Sequence, residues 1–433
     1  MLNYCMQYLI KLIQKTYRMV DPQEGKTILN NVLSLSSLQA ISYILPIAIL
    51  PYLFRILGPE KFGLIAFAQA FVQYFMILTD YGFSVSATKS ISLSQDDKDK
   101  TNEIISAVMT IKVMTLLISA VILSILISII PKFNNDWLVY VISFGAVIGN
   151  SLFPMWYFQG TENMKPIAKI NIIGEFIYAI GIIIFIKTPN DYLMLPVITS
   201  FVAVITGLWG QYLLFKHGGM VFKLPNINHL KSQLSAGWDV FISVVAINAY
   251  TNTRIFAVGL LTNNSITGFY SIAERIANTV QTFPLSSFAQ AIFPRLSKIY
   301  NKNKLKAFQI MQEVQKITTI FSLICIPIIF FLSPMIINLV CGGQYNAAIH
   351  SLKYLLISVF FIASNAFRVQ FLLVAGETKT YSRIHITMAT LGLPTIILFI
   401  YSFSYVGAAI ATTAIEAGVL LLTYIAIRKL KFS

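Results

Sequence analysis

Ionisable side chains interrupt long apolar runs at Lys112, Glu175, Arg254, Glu274, Arg275, Arg368 and Glu416. A charge at bilayer depth costs roughly 2.5–3.5 kcal/mol or more, so such groups face protein or water and mark function. The four cations, Lys112, Arg254, Arg275 and Arg368, are the candidates for a cavity that favours an anion. Arginine matches phosphate oxygens with two parallel hydrogen bonds, and a low dielectric strengthens the attraction. Glu175, Glu274 and Glu416 have two readings, as coupling-ion sites for a proton or sodium gradient or as ion-pair partners of these bases. Asp80, Asp239 and Lys353 lie nearer the ends of their runs, where their side chains are expected to reach back to the interface.

The stretch INAYTNTRIF (247–256) places Asn248, Thr251 and Asn252 on neighbouring helical turns, with Arg254 close to that face. Such a face lines a wet cavity or forms a buried network in which Arg254 pairs with Glu274. The first apolar run carries Asn30, Asn31, Ser34, Ser37, Gln39 and Ser42, followed by Pro46 and Pro51. Proline permits a bend inside a membrane helix, so Pro46 and Pro51 are the hinge or gate candidates; ordinary packing of small residues is the other reading.

Other chemistry finds little support. Cys5, Cys325 and Cys341 lack metal-knuckle or disulfide spacing. His217, His229, His350 and His385 lie far apart and read as loop and helix-end residues. There is no phosphate-binding G-x-x-x-x-G-K-[ST] string. No catalytic residue, metal site or organic cofactor is therefore expected.

The elements that must position the charges follow from composition. The chain has 433 residues, 56% hydrophobic and 11% charged. Soluble domains carry about 25% charged residues. Apolar runs of membrane-spanning length recur from residue 28 onward, so the expected fold is an all-α polytopic membrane protein. About twelve spans are expected: 28–54, 62–81, 104–128, 137–158, 167–187, 192–215, 233–261, 266–292, 310–333, 348–374, 382–402 and 407–427. Residues 1–27, interrupted by Lys11, Lys15 and Arg18, read as an amphipathic surface segment.

The formal net charge of +15 falls almost entirely on one set of alternate connections, the set holding both ends of the chain. The other set holds only Arg55, Lys61, Lys132 and Lys187. The positive-inside rule then places both ends in the cytoplasm and accounts for the charge without nucleic acid. The outer connections, 55–61, 129–136, 188–191, 262–265, 334–347 and 403–406, are too short to hold a catalytic domain.

The two halves echo each other. GLIAFAQA (63–70) matches GFYSIAER (268–275), SATKSIS (86–92) matches IFPRLSKI (292–299), and GTENMKPIAKI (160–170) matches GETKTYSRIHI (376–386). This predicts two six-helix lobes, 28–215 and 233–427, joined by a linker at 216–232 and followed by a tail at 428–433. Six is even, so the lobes share one orientation, related by a pseudo-two-fold axis along the membrane normal. A central cavity and alternating access follow from that arrangement.

The strings RILGPEKFGLIAFAQAFVQYFMILTDYGFSVSATKSIS (55–92), FPMWYFQGTENMKPIAKI (153–170), TGFYSIAERIANTVQTFPLSSFAQAIFPRLSKIY (267–300) and AGETKTYSR (375–383) resemble the bacterial polysaccharide transporter family. Within it they are most similar to O-antigen flippases of the multidrug/oligosaccharidyl-lipid/polysaccharide superfamily. The resemblance implies movement of an undecaprenyl-pyrophosphate-linked oligosaccharide between leaflets of the bacterial inner membrane. Its implied partners are that lipid, the bilayer and other polysaccharide-assembly membrane proteins. Such a flippase is expected to lose function in Arg254→Ala at normal membrane levels. The alternatives are a cation-coupled multidrug exporter of the same superfamily and a membrane polymerase or ligase of lipid-linked glycans.

Overall fold

A computed structural model describes residues 22–430; among these, the side chains of 22–44, 217–218, 283–284, 286–295 and 298 are not described. The segment 1–21, the last three residues and the polar side chains from Asn30 to Ser42 thus lie outside the described residues.

The described chain is almost wholly helical and contains no strand. Its helices are α1 Pro22–Asp80, α2 Phe83–Ser92, α3 Lys98–Ile129, α4 Pro131–Asn135, α5 Trp137–Leu152, α6 Met155–Gly160, α7 Lys165–Phe185 and α8 Met194–Gly218. After a non-helical stretch at 219–226 come α9 Ile227–Thr251, α10 Thr253–Leu261, α11 Asn264–Lys302, α12 Lys304–Cys341, α13 Asn346–Ala363, α14 Ala366–Val374 and α15 Thr378–Lys429. Nine segments among the described residues are long and apolar enough to cross a membrane. Two of these, Leu45–Ser92 and Thr378–Lys429, contain a sharp break. The helix α11, whose side chains are described only in part, falls outside that count. This is a multi-pass membrane protein.

Several expected boundaries shift for local reasons. The connections at 55–61 and 403–406 shrink to breaks at Gly58 (φ 70°) and Ser404 (φ 53°). Gly58 adopts a positive φ without a Cβ penalty. Helix α1 runs unbroken through Pro46 and Pro51. The run 137–158 is two helices, α5 and α6, because Pro154 cannot donate the next backbone hydrogen bond. The run 348–374 is likewise split, between α13 and α14 at Ser364 and Asn365. The run 233–261 breaks between α9 and α10 at Asn252. The N-terminal part of 334–347 remains helical as far as Cys341, where Gly342 (φ 74°) ends α12.

Side-chain caps explain several starts. Asp97 accepts from Lys100 N, Asn263 from Ile266 N and Asn303 from Lys306 N. Inside the apolar helices, hydroxyls return to carbonyls of the preceding turn, as in Thr110 to Ser106, Ser119 to Thr115 and Thr412 to Ala408. This satisfies them where no water is at hand.

One end of the bundle is closed by contacts between the two halves of the chain. A Cβ on Gly63 would collide with the Asn264 carbonyl, and one on Gly268 with the Pro59 carbonyl. The second limb of α1 therefore packs backbone to backbone on α11, as small residues allow between membrane helices. Below that contact an aromatic plug forms. Phe256 stacks on Phe67 (5.3 Å) and Phe71 (5.8 Å), and Phe133 stacks on Phe71 (4.6 Å). Two basic residues of the first half then cap helix ends of the second. Arg55 donates to the Leu339 and Val340 carbonyls at the end of α12. Lys132 donates to the Gly259 and Thr262 carbonyls at the end of α10. Cations are favoured at helix C-termini, where carbonyls lack partners. At the other end of the bundle the non-helical stretch is tied to α3, through Val221 N to Asn102 Oδ1 (3.0 Å) and Lys223 N to Ser106 Oγ (3.0 Å).

Candidate functional site

The chemistry predicted from the sequence gathers where α9, α10, α11 and α15 meet, and where α11 faces α1 and α7. The break at Asn252 exposes that residue and turns Arg254 inward. Arg254 Nε lies 3.0 Å from Glu274 Oε1, and the two side chains are 11% and 6% exposed. The same Nε donates to the Thr251 carbonyl at 2.8 Å. An opposite charge and a carbonyl thus compensate a guanidinium that would otherwise be buried alone. Glu416, on α15, lies within electrostatic reach of Arg254 and of Tyr250. Tyr270 and Thr412 stand in the same neighbourhood, both nearly inaccessible to solvent. Tyr250 Oη is 2.7 Å from His385 Nδ1, and the Tyr381 ring meets that imidazole edge to face.

Arg275 follows Glu274 in sequence but points elsewhere. Its guanidinium donates to Gln69 Oε1 at 2.7 Å and lies over the Phe62 ring, both on α1. Tyr178 on α7 stands within electrostatic reach of Arg275 and of Glu175. No carboxylate among the described residues comes within ion-pair distance of Arg275. Arg275 is half-buried, and Glu274 is an acid within its electrostatic reach.

Beside this region a cavity of about 270 Å³ opens between α1 and the α9–α10 break. Tyr74, Phe241, Asn248, Thr253 and Phe256 are among its walls. Tyr74 Oη donates to Thr253 Oγ1 across it at 2.7 Å. Asn248 donates to the Val244 carbonyl and accepts from Asn252 Nδ2.

The remaining candidates lie apart from these. Lys112 is 4% exposed on α3, and Asp80 is the acid whose charge reaches it. Arg368 donates to the Ser364 carbonyl of its own turn at 2.6 Å and lies over the Tyr424 ring. Lys112 and Arg368 lie on other helices than Arg254 and Arg275, which both reach Glu274 electrostatically. Sequence reasoning missed Gln69, Tyr74, Tyr178 and Tyr270, whose types are common on any apolar helix. It also placed His385 at a helix end, whereas the structure buries it inside α15 against Tyr250. The nearest available signal was Tyr250, inside the polar string 247–256.

Comparison with known proteins supplies the context for this arrangement. The profile of the family described as Polysaccharide biosynthesis protein matches residues 28–300. A protein of Escherichia coli strain K12, provisionally named an O-antigen transporter, is 30% identical over 406 residues, covering 93% of this chain and 97% of its own. Among solved structures, the lipid II flippase MurJ in an inward closed conformation superposes with a TM-score of 0.74 at 14% identity. That match covers 92% of this chain and 87% of the other. An inward-facing multidrug resistance transporter of the MATE family, within the MOP superfamily, gives 0.73 at 15% identity, covering 90% and 94%. The fold is that of the MOP superfamily.

Proposed function

The chain belongs to the polysaccharide biosynthesis protein family of transporters, and from that premise we propose that it is a flippase for a lipid-linked oligosaccharide. The substrate in this reading is an undecaprenyl-pyrophosphate-linked repeat unit of the O-antigen type, carried from the cytoplasmic to the periplasmic leaflet of the inner membrane. The observation that carries it is the match to the E. coli O-antigen transporter along nearly the whole of both chains.

In this reading residues 28–215 and 233–427 are two lobes that rock about a central cavity, joined by the linker 216–232. Both ends of the chain face the cytoplasm. The closed end, with Gly63, Gly268, Phe256, Arg55 and Lys132, is then the periplasmic gate. Arg275 is the group that reads the pyrophosphate, and Asn248 and Asn252 hydrogen-bond the sugar from the cavity wall. Arg254 and Glu274 hold the α10–α11 junction, while Glu416 and Glu175 are the acids through which a proton or sodium gradient would act. Lys112 and Arg368 shape the field at its edges. Pro46 and Pro51 would let the first limb of α1 bend when the lobes rock.

Deleting the gene tests this reading. The expected result is lipid-linked oligosaccharide trapped in the cytoplasmic leaflet and loss of the surface glycan, both restored by the wild-type gene. Unchanged surface polysaccharide together with altered drug susceptibility would instead favour a multidrug exporter. Sugar transfer by the purified protein would favour a polymerase or ligase.

A further inference from the structure

The turn between α6 and α7 is anchored from one side and open on the other. Thr88 Oγ1 donates to the Trp156 carbonyl at 3.2 Å, and Gln95 Nε2 donates to the Gly160 carbonyl at 2.6 Å. A Cβ on Gly160 would press into Ile91, so α6 lies flush on α2. On the opposite side a cavity of about 670 Å³ opens between this turn, α7 and the end of α8. Tyr157, Asn163, Lys165, Lys169, Trp209 and Leu213 are among its walls, and no carboxylate lines it.

Lys165 and Lys169 are one helical turn apart and therefore share a face of α7. Neither forms an ion pair among the described residues. Two adjacent like charges with no acid between them repel one another, and a bound anion would relieve this. Tyr157 and Trp209 have amphipathic rings of the kind that sit at headgroup depth. The walls thus combine two cations and an amide at one side with aromatic and aliphatic surface at the other. We propose that this cavity binds the phosphate of an anionic glycerophospholipid, with its glycerol and upper acyl carbons against Tyr157, Trp209 and Leu213. Basic pockets between helices bind headgroups in this way. The site is separate from Arg275 and from the cavity beside Asn248. It rests on the orientation proposed above only for the leaflet, which would be the cytoplasmic one.

The test uses the full chain in nanodiscs of phosphatidylcholine with or without phosphatidylglycerol, read by native mass spectrometry and thermal unfolding. Phosphatidylglycerol is expected to remain bound to the wild type and to raise its melting temperature. The double variant Lys165→Gln/Lys169→Gln should bind it about thirty-fold more weakly, from about 1 kcal/mol per lysine. Lys231→Gln, at an exposed lysine outside the cavity, should bind as the wild type does. A Lys165→Arg/Lys169→Arg variant should retain binding, which separates loss of charge from loss of fold. Undiminished binding in the glutamine variant overturns the proposal. Equal stabilisation by inorganic phosphate in phosphatidylcholine alone overturns the lipid assignment in favour of a free anion. No lipid-linked sugar is present, so the outcome is independent of whether the chain is a flippase.

Discussion

Glu274 and Arg275 are neighbours in the chain and face opposite problems. Glu274 turns into the second half of the molecule and meets Arg254 at 3.0 Å, with both charges almost fully covered. Arg275 turns toward the first half, where its partner is the neutral Gln69 and its ring neighbour is Phe62. The first pair cancels its own charge. The second site gives its positive charge no carboxylate within ion-pair distance among the described residues. The difference teaches that depth and sign alone do not fix what a buried arginine meets; the packing around it does.

The sharpest way to break this comparison is Arg254→Ala. It leaves Glu274 buried without its partner, a change that costs about 3–5 kcal/mol. Thermal unfolding of the purified protein should show a large drop, and Arg254→Met/Glu274→Leu should recover most of it. A wild-type melting temperature in Arg254→Ala, combined with lost transport, would move Arg254 into the substrate-binding group.

Arg275→Ala should behave in the opposite way. Loss of a charge-assisted hydrogen bond is worth about 1.5–3 kcal/mol, or roughly tenfold to a hundredfold in transport. Its melting temperature should stay close to that of the wild type, because no buried acid is abandoned. Complementation of the deletion strain, with membrane levels measured in parallel, checks this.

Tyr250→Phe probes how far the Arg254 neighbourhood extends. Removing the hydroxyl leaves His385 Nδ1 without its partner and should cost about 1 kcal/mol in stability. No change would confine the network to Arg254, Glu274 and their immediate carbonyl.

The smallest expected effect is at the closed end. Lys132→Ala removes a cation from the end of α10, an interaction worth about 0.3–1 kcal/mol. That is enough to shift a two-state opening equilibrium up to about fivefold. A single cysteine placed in the aromatic plug should then label faster from that side in the variant than in the parent.

Much of this arrangement was legible before any coordinates. The apolar runs, the intramembrane charges and the polar string 247–256 all follow from residue type and spacing. The breaks were less legible. Pro154 ends α5 by its missing donor, and Gly58 and Ser404 fall inside the expected connections 55–61 and 403–406, but the bend at Asn252 interrupts the expected run 233–261, whose apolar pattern continues on either side. His385 read as a loop or helix-end residue because burial depends on what α9 and α15 bring against it.

By itself the sequence determined that this chain lives in a membrane and which of its groups are costly there. It did so because transfer free energy and helix length are local properties of a segment. Only the tertiary structure decided that, among the described residues, Arg254 has an ion-pair partner and Arg275 has a neutral amide instead. Two residues three turns or more apart, or in opposite halves of the chain, acquire an interaction only when packing sets the distance between them. Electrostatic energy falls with distance and depends on the surrounding medium. The same holds for Lys165 and Lys169, whose spacing on α7 was plain in the chain, while the cavity they line is formed only when α6, α7 and α8 pack together.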